Sequence, residues 1–123
     1  MEQRSQPFID ALKQLETTGD VQPIATLFAD DADLSNPVVK HDAEGKAGAA
    51  SFWSHYRSSF DSISSEFRHI VEQGDVALLE WVSEGTMKGR TIRYGGVTVL
   101  EFGEAGITAF RSYFDTAQLA INS

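Results

Sequence analysis

The chain has 123 residues, no cysteine and a formal net charge of −8, with a sequence pI of about 4.7. That length makes one domain, residues 1–123, able to bury a core without disulfides or metal, and the missing thiols exclude a disulfide scaffold and thiolate metal sites. The acidic balance argues against nucleic acid and against anionic membranes as partners.

The opening MEQRSQPFID has no apolar run of the signal-peptide kind, and no segment approaches a membrane span. A cytoplasmic domain is therefore expected. Ser5 is placed to cap a first helix, with Pro7 in its opening turn. Phe8, Leu12 and Leu15 share one face of it, and Gly19 stops it in the left-handed conformation. Asp20 is placed to cap a short second helix with Ile24, Leu27 and Phe28 on its apolar side. Asp30-Asp31 reads as a solvated helix exit, and Asp33–Asn36 as a short strand stopped by Pro37.

After a polar loop, Val38–Glu44, a third helix is predicted over Lys46–Ser58. Ala49, Trp53, Tyr56 and Phe60 follow one another along a single apolar stripe. Strands are predicted at Ile63–Glu72, Val76–Glu84 and Thr91–Phe102, the last with a bulge or sharp bend at Gly95-Gly96. Gly103-Glu104-Ala105-Gly106 turns the chain into a final strand, Ile107–Phe114. Alternation there puts Phe110, Ser112 and Phe114 on one face and Arg111 and Tyr113 on the other. Helices followed by an antiparallel meander make an α+β layout.

GDVQPIATLFADDADLSNP, a glycine-led helix carrying Phe52-Trp53, and a meander ending AGITAFRSYFD together resemble the nuclear transport factor 2-like superfamily, over nearly the whole chain. Within it, the polyketide-cyclase (SnoaL-like) and ketosteroid-isomerase branch is the most similar. The resemblance implies a cone-shaped α+β barrel, in which a curved antiparallel sheet wraps around the N-terminal helices and leaves a pocket at the open end. It also implies a homodimer formed through the outer face of the sheet. Fold alone does not assign chemistry.

A ketosteroid isomerase needs a carboxylate base, and a tyrosine with a protonated aspartate to hold the enolate oxygen. Alignment on the family motif puts Asn36, Leu12 and Thr98 at those three positions. An amide is no base and Leu12 donates nothing, so the isomerase set is missing. The epoxide hydrolases of this fold use an Asp–Arg–Asp relay. Counting back from R-x-Y-F-D, Ser112 and Trp81 stand in for the aspartates and Leu79 for the arginine. A one-residue gap brings in Glu80 and still no arginine.

Both alignments turn Leu79, Trp81, Thr98, Leu100, Phe110, Ser112 and Phe114 toward the pocket, joined by Leu12 and Asn36 from the earlier elements and by Trp53 and Tyr56 from the third helix. Such a lining is apolar with sparse polar points, the usual construction of a small-molecule site. Asn36 either orients a ligand oxygen or caps the strand end before Pro37. Trp53 and Tyr56 read first as core aromatics and second as ligand-stacking rings. His69 is a second weak catalytic candidate, since histidine is easily tuned as a base, but its side of the strand is ambiguous. His41, Asp42 and Glu44 lack a second histidine at ligating distance, so no metal is expected, and no cofactor either. Glu80 and Glu84 are expected to face outward, and Arg111 to pair with Asp115. The sequence thus points to a domain that binds a small apolar organic molecule. It is either an enzyme of the cyclase, isomerase or hydrolase kind or a non-catalytic ligand-binding or dimerisation module.

Overall fold

A computed structural model describes residues 4–37 and 43–120. Helix α1 spans Gln6–Thr18 and buries Phe8, Ala11, Leu12 and Leu15, the three- and four-residue spacing of one helical face. Gly19 closes it at φ 81, with its N–H donating to the Leu15 carbonyl. Only glycine takes that conformation without Cβ strain. Ser5 does not cap this helix. Its hydroxyl and its N–H both donate to the Glu72 carboxylate, as does the Arg4 N–H. A charged acceptor on a distant strand outcompetes the local cap, so the start of α1 is tied to the sheet. Burial works against that carboxylate, but these bonds and the Arg4 charge hold its pKa below the ordinary carboxylate value.

Helix α2 covers only Gln22–Ala25, and Asp20 accepts from the Gln22 N–H at its start. Leu27 and Phe28 are not part of it. Strand β1 begins at Phe28 and runs to Ser35, much longer than the sequence suggests. Strand β2, Ala43–Glu44, is a two-residue partner of β1 within the stretch expected to be loop. His41 and Asp42 lie outside the described residues. Helix α3 spans Gly45–Ser58. The meander then follows as β3 (Ser62–Gln73), β4 (Val76–Met87), β5 (Arg90–Gly103) and β6 (Gly106–Phe114), and a short helix α4 covers Ala117–Ala120.

The six strands form one sheet in the order β2-β1-β6-β5-β4-β3. The sheet is mixed rather than antiparallel throughout, because β1 runs parallel to β6. It is curved but open, with β2 and β3 as edges, and so is not a closed barrel. Across β4 and β5 the register is unbroken from Val76↔Glu101 to Met87↔Arg90, so Gly95-Gly96 makes no bulge. The irregularities lie elsewhere: between Phe67 and His69 against β4, between Glu101 and Phe102 against β6, and between Phe28 and Asp33 of β1 against β6. Gly96 serves a close approach instead. A Cβ there would meet the Tyr113 carbonyl oxygen at 2.3 Å and the Trp81 ring at 2.9 Å.

Two apolar clusters fill the concave side. The larger joins α1, α3 and the sheet around Phe8, Leu15, Phe28, Trp53, Leu79 and Leu100. The smaller gathers Phe60, Ile63, Trp81, Ile92 and Tyr94 toward the other end of β4 and β5.

Candidate functional site

Between these clusters lies a cavity of about 110 Å³. On its helical side stand Leu12 from α1, Asn36 just past β1, and Trp53 and Tyr56 from α3. Trp53 is 2% exposed and is ringed edge-on by Phe8, Phe52, Tyr56 and Phe110, with centroids 4.9–5.9 Å away. It is a core residue whose surface also forms cavity wall. On the sheet side stand Trp81, Thr98, Phe110, Ser112 and Phe114. Tyr113, between two of these, is exposed, as strand alternation requires.

Two residues expected on the wall are elsewhere. Leu79 and Leu100 face inward but are fully buried in the larger cluster. They lie deeper in the sheet than the cavity reaches. His69 is also absent from it. Its ring is exposed on the far side of β3 and paired with Glu80. The bulge at residues 67–69 shifts the alternation of β3, which is why its side cannot be read from spacing. Arg111 pairs with Glu101, not Asp115, at 2.6 Å. That hydrogen bond raises the guanidinium pKa further. Glu84 faces solvent and pairs with Arg93.

Six of the polar side chains that line the cavity fall into two hydrogen-bonded lines. In the first, the Trp81 indole N–H donates to Thr98 Oγ1 at 2.9 Å, and Thr98 Oγ1 lies 2.7 Å from Ser112 Oγ. Indole is a donor only. The two hydroxyls have two protons and share one bond, so one proton is left over at this end. Trp81, Thr98 and Ser112 are therefore linked into a neutral hydrogen-bonded row.

The second line was not anticipated. Glu16 is 6% exposed. Its carboxylate accepts from the Tyr56 hydroxyl at 2.7 Å, from the Ser65 N–H at 2.9 Å and from the Ser65 hydroxyl at 2.6 Å. Ser65 Oγ lies 2.6 Å from Ser83 Oγ. Tyr56, Ser65, Ser83 and Tyr94 line the cavity. Burial, and then the Glu16 charge, push the Tyr56 phenol well above its ordinary pKa. The same two causes raise that of Tyr94. Both phenols therefore remain donors at any physiological pH. A sequence signal for Glu16 exists: it falls eight residues after Phe8, on the same apolar face of α1.

Among the described residues no cluster of His, Asp and Glu is placed to hold a metal ion. No described helix is long and apolar enough to cross a membrane.

An open, strongly curved sheet holding helices on its concave side, with a cavity between them, is the nuclear transport factor 2-like architecture. The chain belongs to the SnoaL-like domain family, whose sequence pattern matches residues 8–115. Among curated proteins none matches in sequence. Solved structures do. TerC co-crystallised with polyporic acid is 20% identical with a TM-score of 0.79, covering 96% of each chain. A ketosteroid isomerase-like protein from Catenulispora acidiphila in complex with trimethylamine is 17% identical at TM-score 0.80, covering 92% of this chain and 88% of that one. An epoxide hydrolase of the LEH-like kind from M. tuberculosis is 16% identical at TM-score 0.75, covering 95% of this chain and 86% of that one. At these identities the likeness is one of fold.

Proposed function

We propose that this domain binds a small, mostly apolar ring compound in the cavity between α1, α3 and the concave face of the sheet. The observation that carries this reading is the wall itself, where aromatic rings surround a space with hydroxyls at two separate points. Its size favours a single ring. An apolar cavity of about 150 Å³ holds benzene, and this one is about 110 Å³. Similar folds crystallised with polyporic acid and with trimethylamine are consistent with a small ligand. A ligand of about eight heavy atoms at roughly 0.6 kcal/mol per atom corresponds to a dissociation constant of a few tenths of a millimolar.

Calorimetry with a panel of monocyclic terpenoids and phenols tests the reading. Trp81→Ala is expected to weaken most binders about tenfold, and Asn36→Leu only those with an oxygen at that end. If no compound binds the native protein below about 10 mM, the reading gives way to a dimerisation module. An enzyme of the cyclase, isomerase or hydrolase kind would also turn its ligand over. No isomerisation of a β,γ-unsaturated steroid ketone and no limonene-epoxide hydrolysis are expected, since Asn36, Thr98, Trp81 and Ser112 replace the groups those reactions need.

The outer face of the sheet fits a second copy of the chain. Val71, Leu78, Val97 and Tyr113 are exposed there, and the register Val71↔Leu78, Leu78↔Val99 and Val97↔Tyr113 joins them across four strands. The hydrogen-bonded pair Glu80–His69 and the ion pair Glu101–Arg111 flank the apolar surface, so the polar groups beside a matching face already have partners. A monomer in light scattering at high protein concentration would remove the dimer.

A further inference from the structure

The geometry points to a protonated amine as the group this cavity selects, seated against Ser83 and Tyr94 with the buried Glu16 carboxylate behind them. This rests on the cavity being a ligand site, and it follows from counting protons. Glu16 takes the Ser65 hydroxyl proton, so Ser65 cannot also donate to Ser83. The Ser83 hydroxyl must donate to Ser65. The hydroxyl protons of Ser65 and Ser83 therefore both point toward Glu16. What Ser83 keeps for the cavity is a lone pair. A ligand group seated there has to donate.

Charge decides between an alcohol and an ammonium. Glu16 is buried, and among the described residues no lysine, arginine or histidine pairs with it. Neutral donors solvate the carboxylate but leave its charge uncompensated in a region of low dielectric. The surrounding rings act in the same sense. Tyr56, Phe60, Tyr94 and Trp81 follow one another with centroids 5.5, 6.4 and 5.3 Å apart, and aromatic faces attract cations. A carboxylate two hydroxyls behind the seat at Ser83, beside an aromatic wall, favours an organic ammonium over a neutral donor of the same shape.

Benzylamine, benzyl alcohol and toluene share a ring and differ at one group. Calorimetry at neutral pH on the native protein, Glu16→Gln and Ser83→Ala reads the preference, with circular dichroism to check folding. Benzylamine is expected to bind the native protein at least about tenfold more tightly than either neutral compound. In each variant that advantage should fall to about twofold or less, with toluene affinity unchanged. Should Glu16→Gln fail to fold, Ser83→Ala decides alone, since it removes the acceptor and leaves the carboxylate. If toluene or benzyl alcohol binds the native protein as well as benzylamine does, the cavity is a ligand site and the amine inference is overturned. Survival of the benzylamine advantage in a folded variant overturns it as well. If none of the three binds, the ligand site and the amine inference fall together.

Discussion

The two polar rows along the cavity are built from the same kinds of residue and have opposite character. Trp81–Thr98–Ser112 and Ser83–Ser65–Glu16 each run across strands through serine or threonine hydroxyls. The first starts at a group that can only donate and has nothing charged at its end, so it leaves one proton over. The second ends at a carboxylate that absorbs every proton offered. One buried Glu16 sets the polarity of a whole row. The cavity therefore has a donating end and an accepting end.

The largest effect should come from removing the carboxylate. Glu16→Ala strands the Tyr56 hydroxyl and both Ser65 donors in a buried place. Each costs about 1 kcal/mol or more, so a loss of about 3 kcal/mol is expected in urea denaturation. A loss under about 1 kcal/mol would mean that water reaches the row and that its polarity is not fixed by Glu16. Thr98→Val keeps the shape of the other row and leaves one buried donor, the Trp81 N–H, without an acceptor. About 1–2 kcal/mol is expected, roughly half the Glu16 effect. Equal losses in the two variants would erase the contrast between a charged and a neutral row.

The contrast also marks what the sequence could and could not tell. Phe8, Leu12 and Leu15 on α1, the Trp53 stripe on α3 and the alternation of Phe110, Ser112 and Phe114 are local periodicities, and the structure has helices and strands in those places. The Trp81–Thr98–Ser112 side could be named because its residues sit on adjacent strands of a regular meander. The Glu16 row joins residues 49 apart in sequence, and nothing local marks Ser65 or Ser83. β1 was underread for a related reason. Phe28 pairs with Ile107 of β6, and the Leu27 carbonyl accepts from the Ile107 N–H. This non-local parallel pairing overrides the helical reading of Leu27 and Phe28. Leu79 and Leu100 show the remaining gap, because alternation gives the side of a sheet but not the depth along it.

The smallest effect should come from Ser112→Ala, and it tests the proton count at the donating end most directly. In the native row, either Thr98 donates to Ser112 and the Ser112 proton is spare, or the reverse. With Ser112 gone, Thr98 still accepts from Trp81 and now has its own proton free. The Trp81 N–H is not orphaned, so stability should fall by only about 0.5 kcal/mol. A donor also remains for a ligand oxygen, displaced from one hydroxyl to its neighbour. Cyclohexanone, which offers an acceptor and no donor, should lose only about two- to threefold in affinity by calorimetry. Thr98→Val should act similarly on cyclohexanone, since Ser112 then keeps the spare proton, while costing more stability because of Trp81. If Ser112→Ala instead abolishes cyclohexanone binding and leaves benzylamine untouched, the spare proton belongs to Ser112 alone. The row would then have a fixed direction, Trp81 to Thr98 to Ser112 to ligand, the mirror of the one that runs into Glu16.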